Sequence, residues 1–524
     1  MRKLLILTFG LLLAIYAQAG KKPDIQAKLA FIVQKLFPIN ETQLKVYLDW
    51  ESIIDRIGSI DKTKILIVDL NNNNVIKPQF VDKDQNGTPE AIYFVTAFDG
   101  NESVRGFLLQ EQEKPVDGIS TLTSIPETDT LKITYLTEIK SYFKTHVEPV
   151  KWSETIAKSI LTTYPNPSDL EIYSAGRWSY TNGFFLNALS EIQSRTKNQE
   201  YYTYIKNWTD LFVAKNGKIN PEKYDREIFE LDNIPPGRLL IYLNQLTGDE
   251  RYRKAADELI DQLNHQPKTS DGGFWHKKVY TNQMWLDGIY MADVYLAQYA
   301  DAFKQPKYFD EAVKQMELMY KHTLDSRTGL MYHGWDESKN KVWADPQTGA
   351  SPEFWGRAIG WYMMAMVDGL DYIPAEHPKR ATILKMFKDL SYSLSKYQDT
   401  TGMWYQVVDK GDKPGNWLES SGSAMIAYAY AKGYAKGYLG TEYHDKAKKA
   451  FEGLKNNEVY FDDQGKFYLS GTVKVGTLNL KVSKGDFNYY IGVDRRINDF
   501  KGVAAFMYLA IALEDIEAGV GVMK

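Results

Sequence analysis

The 524-residue chain contains no cysteine, which excludes disulfide staples, thiol catalysis and cysteine-ligated zinc together. Histidine is scarce, at seven. No HExxH pair or dense carboxylate cluster builds a metal centre, so neither a metal nor an organic cofactor is expected. Charge of one sign is lacking as well: 63 Lys and Arg stand against 67 Asp and Glu. Without a basic patch, nucleic acid is not an expected partner. No nucleophile elbow or phosphate-binding glycine loop stands out. Beyond the N-terminus no run is long and apolar enough to span a bilayer.

The first residues do carry a signal. Met1-Arg2-Lys3 is basic, Leu4 to Tyr16 is almost wholly apolar, and Ala17-Gln18-Ala19 is a small-x-small cleavage site. The pattern predicts a signal peptide over residues 1–19 and export to the periplasm or the medium. No cysteine follows the site, so a lipid anchor is not expected. Without Arg2 and Lys3, 61 basic residues face 67 acids, a net charge of −6.

What is abundant is aromatic. Ten of the 12 tryptophans lie between Trp178 and Trp417. Flat apolar rings suit the faces of sugars, though they also fill gaps between large helices. Residues 24–60 read as short helical pieces. Strands are expected at Ile65–Leu70, Ala91–Thr96, Gly106–Leu109 and Leu131–Tyr135, separated by turn-rich segments. Residues 20–145 are therefore expected to form a β-rich accessory domain. Within it, Asp82-Lys-Asp84-Gln-Asn86-Gly87 resembles half of a calcium loop. Tyr93 stands where the loop needs a bidentate Glu, which favours a plain polar turn.

From about residue 150 to 524 the chain reads as helical, with an internal echo. Four loops combine a turn, a glycine and aromatics, at Gly273, Gly329, Gly402 and Gly465, spaced 56, 73 and 63 residues apart. Amphipathic helices precede them (from Tyr252, Tyr308, Thr382 and His444). Apolar, small-residue helices follow (from Gln283, Trp355, Ser421 and Gly502). Polar outer helices alternating with enclosed inner ones predict a barrel of helical hairpins, its repeat loops at one mouth.

Asp287 sits early in one inner helix, where an acid is costly unless paired or used. His276 and His333 occupy matching places in adjacent repeat loops. Arg357 and Trp361, four apart, share a helix face, where an arginine can clamp a carboxylate and a tryptophan can stack on a ring. A structural pairing of Arg357 with Glu353 or a buried Asp is the competing use. Asp232 is either a second carboxylate at the mouth or an N-cap before Pro235 and Pro236. Acid–base work on carbohydrate is the best reading of these residues.

Residues from about 150 to 520 resemble glycoside hydrolase family 105, the unsaturated rhamnogalacturonyl and glucuronyl hydrolases, with family 88 further off. The resemblance rests on Trp178-Ser-Tyr180-Thr-Asn-Gly183, Leu231-Asp232-Asn-Ile, Gly273-Phe-Trp-His276, Met284-Trp-Leu-Asp287-Gly-Ile-Tyr-Met291 and Tyr332-His333-Gly-Trp335-Asp336. It continues through Ser351-Pro-Glu-Phe-Trp-Gly-Arg357-Ala-Ile-Gly-Trp361, Trp404-Tyr-Gln406 and Glu419-Ser-Ser-Gly-Ser-Ala-Met425. It implies an (α/α)6 barrel with Asp287 as catalytic acid and base, supported by Asp232. His276, His333, Arg357, Trp361 and Tyr180 would hold the substrate. The implied reaction removes a 4,5-unsaturated uronic acid from the non-reducing end of lyase-generated oligosaccharides by hydrating its double bond. A buried helix is expected to raise the pKa of Asp287 and keep it protonated. The alternatives are an inverting glycosidase using Asp232 with Asp287, and an inactive glycan-binding protein on the same scaffold. Nothing in the chain indicates an oligomeric state.

Overall fold

The structure, a computed structural model, describes residues 26–520 apart from 36–42, 59, 73, 99–103, 113, 125–130, 139–148 and 480–482. The expected signal peptide at residues 1–19 lies outside the described residues. The N-terminal region contributes β1 (Gln26–Lys35), β2 (Gln43–Asp49), helix α1 (Trp50–Ile57), β3 (Ile65–Asp69), β4 (Val75–Ile76), β5 (Gln79–Val81), β6 (Ala91–Ala97), β7 (Val104–Glu111), β8 (Ser120–Leu122) and β9 (Leu131–Glu138). The described residues between 24 and 60 are thus two strands and one short helix, where helical pieces were expected. In β2, Leu44, Val46 and Leu48 alternate into the core, a strict period of two. In β1 both faces are buried: Leu29, Phe31 and Val33 on one, Ala30 and Ile32 on the other. Such a doubly buried strand has no alternation for the eye to find.

The strands form two sheets. One, in the order β2-β6-β5-β8, packs face to face on a larger one through Leu44, Val46, Ile92 and Phe94 against Phe31, Ile67, Phe107 and Leu109. The larger sheet runs β13-β12-β9-β1-β7-β3-β4, and its β12 (Val459–Asp462) and β13 (Phe467–Leu469) come from the helical half of the chain. The last repeat loop therefore extends the N-terminal sheet, with Phe461 opposite Thr137. At Asp82, the carboxylate accepts the backbone N–H groups of Asn86 and Gly87 at 3.2 and 3.0 Å, as a polar turn requires.

The helical half runs α2 (Trp152–Thr163), α3 (Tyr180–Thr196), α4 (Gln199–Asp210), α5 (Gly237–Thr247), α6 (Glu250–Asn264), α7 (Leu286–Phe303), α8 (Lys307–Thr323), α9 (Gly356–Gly369), α10 (Arg380–Ser395), α11 (Ser420–Ala435), α12 (Thr441–Glu458), a short α13 (Phe487–Gly492) and α14 (Phe500–Glu517). Helices α3, α5, α7, α9, α11 and α14 touch in sequence and α14 closes on α3, making the inner ring of an (α/α)6 barrel. Every residue of α9 is buried, whereas α6, an outer helix, buries one face. Close packing within the ring depends on glycine: a Cβ on Gly422 of α11 would lie 2.8 Å from the carbonyl carbon of Gly356 on α9. The four aromatic repeat loops lead into α7, α9, α11 and α14.

Candidate active site

Two repeat loops meet at the start of α7. Strand β10 (Gln283–Trp285) pairs antiparallel with β11 (Gly334–Asp336), Trp285 opposite Gly334. The expected helical start at Gln283 is therefore wrong by three residues. Met284, Trp285 and Leu286 are all buried, so this stretch shows no period that separates strand from helix. The consequence is chemical. Asp287 follows β10 and His333 precedes β11, and the ribbon carries on as Leu286 donates its N–H to the His333 carbonyl at 2.9 Å. His333 Nε2 ends 3.2 Å from Asp287 Oδ2. The contact is close but off-line, so neither atom has an aligned hydrogen-bond partner. Unaligned contacts of this kind are common in an unliganded catalytic site.

His276 is held by its own N–H on the Gln283 carbonyl and by its carbonyl on Leu231 N. Its ring stacks on Trp285 at 4.6 Å, and Nε2 stands 3.4 Å from Asp232 Oδ1. Gly288 leaves room for this, since a Cβ there would lie 3.0 Å from His276 Nδ1. Asp232 occupies a 3-10 turn (Leu231–Asn233), and the N-cap of α5 is Pro236. Asp232 is thus spent on His276 and does not cap α5.

Arg357, in the first turn of α9, is buried. It donates to the Val473 carbonyl and lies 4.8 Å over the Trp355 ring. Its Nε has no partner, and among the described residues no carboxylate is within ion-pair distance. The competing partner, Glu353, pairs with Lys410 instead. Tyr180, the first residue of α3, is half-buried near Asp232, Arg357 and Asp287. Trp361 lies one turn deeper than Arg357, packed on Phe184 and Tyr290, each at 4.7 Å.

The electrostatics correct one expectation. Burial pushes the Asp287 carboxyl up, as anticipated, but the His333 contact and the charges of His276 and Arg357 outweigh it and hold the group below its ordinary value. Its place in the first turn of α7 adds the helix dipole in the same sense. The matching histidines diverge. Burial pushes His333 down despite Asp287, whereas at His276 burial is overcome by Asp232 and the imidazole is raised. For the His333–Asp287 pair, the fully enclosed ring supports a neutral His333 with an ionised Asp287 in the empty site. Burial, with Asp232 next, keeps the Tyr180 hydroxyl protonated.

Three participants escaped the sequence reading. Tyr490, on α13, donates to or accepts from His333 Nδ1 at 2.6 Å, across 157 residues. The Val473 carbonyl steadies Arg357 from β14 (Thr472–Val473), which pairs with β15 (Arg495–Arg496). Asp499 caps α14 and pairs with Lys501 at 2.7 Å. Only Asp499, one residue before an apolar run, had a local signature, that of an N-cap. Among the described residues no group of three His, Asp or Glu is disposed to hold a metal, and no helix is long and apolar enough to cross a membrane.

Comparison with known proteins agrees with the barrel fold. The model of Glycosyl Hydrolase Family 88 matches residues 152–516. A solved family 105 glycoside hydrolase from C. acetobutylicum ATCC 824 is 37% identical, with a TM-score of 0.66 over 70% of this chain and 99% of that one. The unsaturated rhamnogalacturonyl hydrolase YesR of Bacillus subtilis is 28% identical over 279 residues, 52% of this chain and 75% of YesR. The unsaturated glucuronyl hydrolase of Bacillus sp. GL1 shares the fold at 15% identity, with a TM-score of 0.51 over 70% of this chain and 96% of its own. The β-rich region precedes the matched residues, and the barrel that follows places the chain in Glycosyl Hydrolase Family 88, close to family 105, as a glycoside hydrolase.

Proposed function

We propose that the protein removes a 4,5-unsaturated uronate from the non-reducing end of oligosaccharides left by polysaccharide lyases. The observation that carries this reading is Arg357, a buried guanidinium that has no carboxylate within ion-pair distance among the described residues, in the same site as the Asp287 carboxylate and its two histidines. The substrate's own carboxylate is the missing anion. Arg357 and the raised His276 would bind it, with Trp285 and Trp355 as flanking rings.

Asp287 then acts in turn as acid and base. It gives a proton to C4 while the double bond moves its electrons, and water adds at C5, returning a proton to Asp287. The hemiketal formed at C5 opens to a ketone. The hemiacetal left at C1 expels the rest of the oligosaccharide. His333, His276 and Arg357 hold the Asp287 carboxyl below its ordinary value, so substrate binding must raise it before it can donate. The incoming carboxylate offsets the Arg357 charge, which raises the Asp287 pKa.

Two measurements test this. Turnover should abolish the ultraviolet absorbance of the conjugated uronate, whereas cleavage of an intact glycosidic bond would leave that chromophore in place. Calorimetry with a saturated uronate in buffers of differing ionisation enthalpy should show proton uptake near neutral pH, absent in Asp287→Asn. No uptake in the native enzyme would remove Asp287 as the proton donor. The N-terminal pattern supports an exported enzyme, for which the first residue of the mature protein is the check.

A further inference from the structure

His333 touches Asp287 through one ring nitrogen and Tyr490 through the other. Both rings are fully buried, and the Tyr490 hydroxyl is 2.6 Å from Nδ1. A neutral imidazole carries one proton, and which nitrogen holds it is decided by what the other nitrogen meets. The Tyr490 hydroxyl has no other hydrogen-bond partner among the described residues. It can place its proton only on Nδ1. An ionised Asp287 is an acceptor alone, so the proton of His333 belongs on Nε2.

We propose that Tyr490 is a positioning residue that fixes the tautomer of His333, keeping its proton on Nε2, the nitrogen 3.2 Å from Asp287 Oδ2. The inference deepens the function proposed above and rests on it for its kinetic arm alone. Tyr490 is itself rigidly placed. Its ring stacks on Trp355 at 5.7 Å, and its carbonyl accepts from Gln406 Nε2 at 3.0 Å, while Gln406 Oε1 accepts from Trp355 Nε1 at 3.0 Å. Gln406 thereby ties the Trp355 wall to the tyrosine. The helix bearing it is started by Asp486, whose side chain accepts from Tyr489 N at 2.8 Å.

Removing the hydroxyl leaves Nδ1 bare and lets the proton move to it. Nε2 would then turn a lone pair on the carboxylate. Asp287 would lose a donor and hold its proton more tightly, which makes it a weaker acid towards C4 although its carboxylate becomes a stronger base for the water step. The charged or titratable groups facing this pair are Asp287, His276 and Arg357 around His333, and Tyr489, Asp287, Glu353 and Asp486 around Tyr490.

The test labels the ring nitrogens of histidine with nitrogen-15 in the native enzyme and in Tyr490→Phe, with the His333 resonances assigned by their loss in His333→Gln. Without substrate, the native enzyme should show a protonated Nε2 and a bare, hydrogen-bonded Nδ1. Tyr490→Phe should show the proton shared with or transferred to Nδ1. On unsaturated uronides the variant should lose about 10- to 100-fold in kcat, the usual cost of releasing an orienting partner, with KM within about twofold. Its pH profile should shift upward. A protonated Nδ1 in the native enzyme overturns the proposal, as does an unchanged tautomer with unchanged kcat in Tyr490→Phe. The native spectrum decides the matter even if the variant fails to fold. If the tautomer is as stated but no unsaturated uronide is consumed, the functional reading fails and the positioning role stands.

Discussion

The two ends of the barrel are built from the same six inner helices and treat charge in opposite ways. At the far end, which opens on a cavity of about 450 Å³, charges are matched within the protein. Lys432 bonds Asp368 and Asp371, each at 2.6 Å, Lys436 bonds Asp371 at 2.9 Å, and Arg195 bonds Asp515 at 2.5 Å. Arg238, with no acid within ion-pair distance among the described residues, gives its donors to Gln298 and Tyr290 at 3.0 and 3.3 Å. At the mouth, Arg357 keeps a bare Nε and Asp287 an unaligned oxygen. Burying a charge without a partner costs several kcal/mol, so a chain keeps such a group where something else completes it. At the far end Lys432, Lys436 and Arg195 find acids within the protein, although Asp368 Oδ2 accepts no bond, whereas Arg357 at the mouth is left for a ligand to complete.

The largest expected effect tests the mouth. Asp287→Asn should lower kcat at least about a thousandfold, or ~4 kcal/mol, with the melting temperature unchanged or raised. Substantial activity in contamination-free material would show that the incomplete acid is not the reacting one. Lys432→Met tests the other end. It leaves Asp368 buried without its cation, and unfolding free energy should fall by about 3 kcal/mol, while kcat/KM of the folded fraction stays native. A kinetic loss there would couple the two ends and break the contrast. Arg357→Met should be smaller and of a different kind: KM rising about tenfold or more, ~1.4 kcal/mol, for uronates with a free carboxylate and little for their methyl esters. Equal effects on acid and ester would deny the clamp.

The barrel is legible in the sequence because inner and outer helices differ along their whole length. The outer helix Glu250–Asn264 keeps a polar face, whereas Gly356–Gly369 has none. Misreading sets in where elements are short or buried on both sides, as at β1 and at the three-residue β10. For the site, Asp287, His276 and Arg357 are legible through motifs and repeat positions, but their couplings are not. The adjacency of His333 and Asp287 follows from a register set by three residue pairs. The bond from Tyr490 joins positions far apart in sequence with no local pattern. The direction of the Asp287 shift was beyond reach for the same reason: burial can be inferred from neighbours in sequence, whereas the opposing histidine comes from another loop.

The contrast also has a boundary case, where the barrel meets the β-sandwich. Glu458 ends α12 immediately before β12, the strand that joins the N-terminal sheet. Its carboxyl is bonded by Ser470, yet burial dominates and lifts its pKa from 4.5 to about 7, with Glu419 adding to the rise and Ser470 and Arg495 opposing it. In the unfolded chain the group titrates near 4.5. The stabilising preference for the protonated form is fully present below that value. It is progressively lost as pH rises from about 4.5 towards 7, because the unfolded chain releases its proton first. Above about 7 the loss is complete. Glu458→Gln keeps a neutral hydrogen-bonding group, so it should match the native melting temperature at pH 4.5 and exceed it by a few degrees at pH 8. A native melting curve with the same pH dependence as the variant's would mean that Glu458 is hydrated in solution. The junction would then belong with the far end, where Lys432 answers Asp368 and Asp371 from within the protein.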